Sequence, residues 1–258
     1  MKKRLVSLVT ACGLALSLAA CGGAGSESAA SSEAASSEAT ASSEVASSEE
    51  ASAGAAHYTI GICQLVQHDA LDAATQGFQD ALNEALGEEN ITWDLQTAQN
   101  DTATCATITN AFVASGVDLI MANGTAALQS AQAATSEIPI LGTSITEYGV
   151  ALGIDGFDGT VGTNISGTSD LAPLDEQAAM IQELFPDAST VGLLYCSAEP
   201  NSQYQVDTVQ GYLEELGYTC TQYAFSDSND LSSVCQGAAD ASDVIYIPTD
   251  NTAASCTE

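Results

Sequence analysis

Positive charge is nearly absent from this chain. Its 258 residues include three Lys and Arg against 34 Asp and Glu, a formal net charge of −31 at pH 7. The three cations are Lys2, Lys3 and Arg4, so nothing beyond the extreme N-terminus carries a permanent positive charge. A nucleic-acid partner is argued against, because neutralising phosphates requires clustered Lys or Arg. Charge-driven docking on anionic lipid fails on the same ground. The absence also constrains any small ligand: an anionic group must be met by backbone N–H groups, helix starts and hydroxyls.

Other shortages narrow the chemistry. With two His in the sequence, His57 and His68, a His-rich metal site is not expected. The acidic run SDSND at 226–230 lacks the Gly and the terminal Glu of an EF-hand loop. Neither Gly-x-Ser-x-Gly nor Ser-x-x-Lys occurs, so no nucleophile motif accompanies the His68–Asp72 pair, which is spaced like a dyad at a strand-to-helix junction. A binding or helix-capping role is favoured for that pair, and neither catalysis nor a cofactor is expected. Cys12 and Cys21 belong to the N-terminal region; beyond them lie Cys63, Cys105, Cys196, Cys220, Cys235 and Cys256. An even number permits disulfides. However, there is no Cys-x-x-Cys, and Cys63, Cys105 and Cys220 stand where small apolar residues would, so free thiols are the expectation for most.

What is present divides the chain. The basic start followed by an apolar run over 5–20 is the pattern of a secretory signal, too short and too closely flanked for a membrane span. Leu18-Ala19-Ala20-Cys21 is similar to a bacterial lipobox, which makes Cys21 a lipidation site after removal of residues 1–20. Residues 21–56 are almost entirely Ser, Ala, Glu and Gly, with Ser-Ser-Glu recurring, and cannot bury enough apolar surface to fold; they read as a tether. From His57 onward, β-branched and apolar runs alternate with helical periodicity. YTIGICQLV opens the series, followed by strands at 91–96, 117–122 and 138–141. The helices between them start near Asp69, Asp101 and Asn123-Gly124-Thr125. This alternation predicts an α/β fold with parallel sheets flanked by helices. A Gly-, Thr- and Asp-rich stretch without helical period, residues 142–170, interrupts the series, and strands and helices then resume. An N-terminal lobe over 57–145, a hinge crossover over 146–170 and a C-terminal lobe over 171–258 follow. Ligands are expected in the cleft at the C-terminal strand ends.

The segments GICQLVQHDALDAATQGFQDAL, VDLIMANGTAALQSA, NISGTSDLAPLDEQ, VGLLYCSAEPNSQYQV and VIYIPTDNT resemble, in this order, the ABC-transporter substrate-binding lipoproteins of the tryptophan and tyrosine uptake type. The resemblance runs from Gly61 to Thr252. It implies a two-lobe, type I periplasmic-binding-protein architecture and an extracytoplasmic, lipid-anchored, monomeric receptor. Such a receptor captures a hydrophobic or aromatic amino acid and delivers it to an ABC permease. Family members continue beyond the PTDNT-like segment, so the resemblance also implies an incomplete, C-terminally truncated second lobe. A zwitterionic amino acid needs donors for its carboxylate, acceptors for its ammonium and an apolar slot. Thr125 and Ala126, at a helix start, are expected to supply donors, helped by the hydroxyls of Ser144 and Thr146. Asp170 and Asp250 are the expected ammonium partners, with Glu199 and Asn201 as similar candidates and His68 and Asp72 beside them. Rival readings are a nucleoside, sugar or peptide binder and an extracellular sensor lobe. One Trp and no available Arg weaken the sugar reading.

Overall fold

The computed structural model describes residues 56–257. The expected signal sequence, Cys21 and all but the last residue of the expected tether lie outside the described residues.

The first half alternates as periodicity predicts: β1 (Tyr58–Gln64), α1 (Asp69–Leu86), β2 (Ile91–Thr97), α2 (Thr102–Ser115), β3 (Leu119–Asn123), α3 (Thr125–Ala134), β4 (Ile140–Ile145), α4 (Tyr148–Leu152) and β5 (Ile165–Ser169). The strands form one parallel sheet in the order β2-β1-β3-β4-β5. Because strand side chains alternate, β1 serves two cores. Cys63 points with Cys105, Ile108 and Phe112 of α2 and Leu128 of α3. Ile60 and Ile62 point the other way, with Met121 and with Phe78 and Leu82 of α1. Gly61 is required by this packing, since a Cβ there would lie 2.7 Å from the Phe112 ring. Asp101 caps α2 by accepting from the Thr104 N–H at 2.6 Å.

The second half contains α5 (Leu174–Leu184), β6 (Thr190–Cys196), α6 (Pro200–Glu215), β7 (Thr219–Phe225), α7 (Ser228–Ala241), β8 (Val244–Tyr246) and α8 (Asn251–Ala254). Its parallel sheet has the order β7-β6-β8. Leu193 and Tyr195 pack with α5 and α6 on one face, and Leu194 and Phe225 with α7 and Ala253 on the other. Helices on both faces explain why the central strands read as continuous apolar runs.

Three local expectations are corrected. The stretch 142–170 is more regular than its composition suggests. Gly142 to Ile145 extend β4, a short helix follows, and β5 joins the first sheet as an edge strand with four of its five residues exposed. An exposed edge has no apolar pattern to read. Phe185, which the spacing of Leu174, Ala178 and Ile181 predicts to be buried, follows the end of α5 and is 48% exposed. Asp69, expected to cap α1, is its first residue; the cap position is His68, and no side chain closes that helix start.

Candidate ligand-binding site

The residues singled out from sequence all fall at C-terminal strand ends, where a parallel sheet gathers its loops. His68 and Asp72 follow β1, Thr125 and Ala126 follow β3, Ser144 and Thr146 close β4, and Asp170 follows β5. From the second sheet, Glu199 and Asn201 follow β6 and Asp250 follows β8.

The first sheet offers donors. At the start of α3, Gly124 takes φ +102, and no side chain caps the helix. Its first N–H groups therefore have no intrahelical partner, and Thr125 is 3% exposed. Ser144 adopts φ +56 where β4 loses register with β5. A non-glycine residue in the left-handed region is a strained placement of the kind that gathers at binding sites. Thr146 is buried, and its carbonyl accepts from the Ser169 hydroxyl at 2.8 Å. Asp170 is open to water yet surrounded by protein. That desolvation raises its carboxyl above the ordinary range, while the Thr146 hydroxyl draws it down. Nearby, burial pushes the Tyr148 phenol up to about 12. Neutral, it bonds the carbonyls of Gly142 at 3.1 Å and Thr168 at 3.2 Å.

His68 and Asp72 do not form a dyad. The Asp72 carboxylate accepts from the Gln64 amide at 2.5 Å, and His68 Nε2 lies 3.3 Å from Asn251 Oδ1 of the second sheet. Gln64 in turn accepts from the Thr75 hydroxyl at 2.6 Å, and Thr75 accepts from the Asn123 amide at 3.0 Å. This chain of neutral groups ties β1, β3 and α1 together beneath the strand ends.

The second sheet contributes carboxylates, turned inward. Glu199 is 6% exposed. Its Oε1 accepts from the Thr252 N–H at 2.8 Å and the Thr252 hydroxyl at 2.7 Å. Its Oε2 accepts from the Asn251 N–H at 3.0 Å, the Asn251 amide at 2.8 Å and the Asn201 amide at 3.2 Å. Asp250 accepts from the Cys196 N–H at 2.7 Å and the Ala253 N–H at 2.8 Å. Burial, then the charge of Glu199, raises the Asp250 carboxyl, and the two N–H groups oppose that rise. Both acids were expected to face a ligand cation; each of their oxygens already accepts at least one hydrogen bond from the protein. The physical reason is the missing cations: a buried carboxylate here has only N–H and O–H donors available to it. Asn201 differs. Its amide nitrogen bonds Glu199 and the Thr249 carbonyl, but its Oδ1 is buried without a partner.

A cavity of about 710 Å³ lies beside the second sheet, lined by His68, Leu231, Cys235, Pro248, Asp250 and Asn251 among others. A second, of about 420 Å³, is lined by His68, Asp72, Ser255 and Thr257 among others. Neither is lined by Thr125, Ala126, Ser144, Thr146, Asp170, Glu199 or Asn201. The donors and acceptors at Thr125, Ala126, Ser144, Thr146, Asp170 and Asn201 thus lie outside both hollows, whereas His68 and Asp250 line the larger one. Among the described residues, no cluster of three or more His, Cys, Asp or Glu side chains converges as metal ligands do.

Sequence reading missed Gln64, Asn100, Asn251 and Thr252. Gln64 sits in a strand where an apolar residue was expected. Asn100 follows Gln99 in a left-handed pair, with φ +62 and +53, that has no glycine to announce it. The run Asp250-Asn251-Thr252, three hydrogen-bonding side chains in a row after an apolar strand, was the available signal.

Two parallel α/β sheets in series, with polar groups gathered at their strand ends, define a binding protein of the type I periplasmic fold. The chain belongs to the ABC transporter substrate binding protein family, whose pattern it matches over residues 59–258. It is 36% identical over 197 residues to a tyrosine-binding protein of Clostridioides difficile (strain R20291), covering 74% of this chain. It spans 56% of that relative's length. Among solved structures it is similar to an ABC domain in complex with L-Trp from Streptococcus pneumonia, with 32% identity and a TM-score of 0.74, covering 78% of this chain and 68% of that one. It is also similar to the ligand-free, open structure of a substrate-binding protein with adhesive properties from Clostridium difficile. There the identity is 38% and the TM-score 0.55, over 77% of this chain and 68% of that one.

Proposed function

We propose that this chain is the ligand-capturing part of an extracytoplasmic receptor serving an ABC importer, and that its ligand is a hydrophobic or aromatic amino acid. The observation that carries this reading is the buried, uncapped start of α3 in a chain whose cations all lie at positions 2–4. The free N–H groups at Thr125 and Ala126 receive the ligand carboxylate, as helix starts favour anions. Ser144 and Thr146 add hydroxyl donors. The ammonium is met by Asp170 and by the partnerless Oδ1 of Asn201. Glu199 and Asp250 hold the second lobe's strand ends in place, and His68 and Asp72 serve as structural neighbours of the site. Relatives named for tyrosine and solved with L-Trp support the ligand class. The first lobe, expected over 57–145, extends through β5, and residues 171–258 act as the second, so that of the expected crossover 146–170 only its end at Asp170 serves as the passage. Cys21 anchors the monomer to the membrane, the permease is its partner, and no catalytic step takes place.

The test is thermal unfolding of the chain with a panel of L-amino acids. A ligand present at about 100 times its dissociation constant adds about 2.7 kcal/mol. A midpoint raised by Tyr, Trp or Phe and unmoved by Asp or Lys is the expected result. A midpoint that no amino acid moves would sink the proposal.

A further inference from the structure

Two hydrogen bonds cross from the first sheet's loops to the second's. His68 Nε2 meets Asn251 Oδ1 at 3.3 Å, and the Asn100 amide donates to Thr252 Oγ1 at 2.8 Å. Both second-sheet partners are buried, Asn251 at 7% and Thr252 at 1% exposure, and Glu199 holds both of them. The direction of these bonds follows from charge. In all five of its bonds the Glu199 carboxylate is the acceptor. It draws the Thr252 proton onto Oε1, which leaves the hydroxyl lone pairs for Asn100. It draws the Asn251 NH₂ onto Oε2, which turns Asn251 Oδ1 outward to accept from His68. A neutral residue at 199 would not fix either direction. On the opposite side, Asn100 is presented from a left-handed backbone, a conformation Asn tolerates better than most residues. The Asn100 N–H is tied to the Leu65 carbonyl at 2.8 Å, so the amide is aimed by β1's own loop.

We infer that Glu199 is a positioning residue for ligand retention: it does not touch the ligand but orients Asn251 and Thr252 as the acceptor half of an interlobe latch whose donor half is His68 and Asn100. The inference rests on the binding reading above. It deepens that reading by assigning the closed state's strength to four side chains outside the carboxylate and ammonium contacts. The chain's TM-score is 0.74 against its L-Trp-bound relative and 0.55 against the open, ligand-free one, and the two cross-sheet bonds, at 3.3 and 2.8 Å, need the two loops in contact. A latch present in the closed form alone should slow release without speeding capture, since most affinity tuning acts on the off-rate.

The experiment measures association and release of radiolabelled L-tyrosine and L-tryptophan on the full chain. Asn100→Gly, which suits the left-handed backbone, and Thr252→Val, which keeps the side-chain shape, should each speed release about five- to ten-fold, the worth of one net hydrogen bond. Association should stay within about two-fold. Glu199→Gln should speed release at least as much, yet add nothing in a His68→Ala/Asn100→Gly background, where the latch has already lost its donors. If Glu199→Gln speeds release equally in both backgrounds, or if Asn100→Gly and Thr252→Val leave release unchanged, the latch is refuted. Should the wild-type chain bind neither amino acid, the binding reading fails instead. Mild oxidation of Asn100→Cys/Thr252→Cys then decides the latch alone: a disulfide mapped between positions 100 and 252 supports it, and none overturns it.

Discussion

At the first sheet's strand ends, the ties nearest α3 are neutral: Gln64, Thr75 and Asn123 form a relay of amides and hydroxyls that ends on the Asp72 carboxylate, and the Tyr148 phenol clamps two carbonyls. At the second sheet's, the ties are carboxylates, with Glu199 and Asp250 together accepting seven hydrogen bonds. The contrast follows from what each half must offer. With no cation beyond Arg4, a bound carboxylate has to be met by helix N–H groups, and a carboxylate fixed beside them would repel it. The first half therefore holds itself together without charge where α3 begins. The second half does not carry that helix start and tolerates negative charge, so it can use acids as templates around which backbone and side-chain donors arrange themselves. An amide built into such a template can give two bonds away and still keep an oxygen free, as Asn201 does.

The sharpest way to break this comparison is through backbone packing in the first half. Gly167 has φ +154, and a Cβ there would stand 2.1 Å from the Gly142 carbonyl oxygen and 2.2 Å from the Tyr148 hydroxyl. Neither backbone nor a buried phenol can yield that much, so Gly167→Ala should destabilise the chain by about 3 kcal/mol or more through overpacking and strain. Chemical denaturation would show it. A loss below about 1 kcal/mol would mean that the β4–β5 edge is soft and that the first half does not depend on close backbone approach.

A smaller effect on stability but a large one on binding is expected from Thr125→Pro. Proline suits the first helical position, and Gly124, with φ +102 and ψ 153, lies outside the helical region that a following proline disfavours. The helix should survive, with stability changed by less than about 1 kcal/mol. One N–H donor is lost, so amino-acid affinity should fall at least about ten-fold, the worth of one charge-assisted bond. Unaltered affinity would detach the start of α3 from the ligand and leave the donor half of the comparison without its main member.

How much of this could be read in advance depended on range. Strands and helices were legible because their cores are periodic: Ile60 and Ile62 on one face of β1, Cys105, Ile108 and Phe112 along α2. The uncapped start at Gly124-Thr125 was legible because glycine and the strand-to-helix change are local signals. The strand β5 was not, since its exposed Ser, Gly and Thr carry no pattern. The role of Glu199 was also out of reach. Its partners lie at positions 251 and 252, and only the pairing of β6 with β8 brings them to it. The shortage of cations showed that a ligand's anionic group would have to find N–H or O–H donors; it did not show that Glu199 would need them too.

The least disruptive test lies at the opposite ends of the strands. In the first half Asp118 accepts one bond there, from the Thr59 N–H at 2.7 Å. In the second, Asp243 Oδ2 accepts from both N–H groups and both hydroxyls of Ser189 and Thr190, at 2.8 to 3.1 Å. The Ser189 N–H is the largest of the influences that hold Asp243 down to about 2. A carboxyl whose folded value lies below its unfolded one adds stability that is complete above about pH 4 and is lost as the pH falls toward about 2. Asp170 and Asp250, raised by burial, have the opposite sign: as the pH rises through their titration, stability falls. The wild-type profile mixes both, so the difference between variant and wild type is the useful quantity. Asp243→Asn should lower the unfolding midpoint above about pH 4 and converge on wild type near about pH 2, whereas Asp118→Asn, which removes the acceptor of one bond rather than four, should lower it less. Because Asp243 is exposed and water screens it, the shift should be small. If the two variants gave the same profile, carboxylate templating would not be a property of the second half, and its acids would simply be the surface charge of an acidic protein.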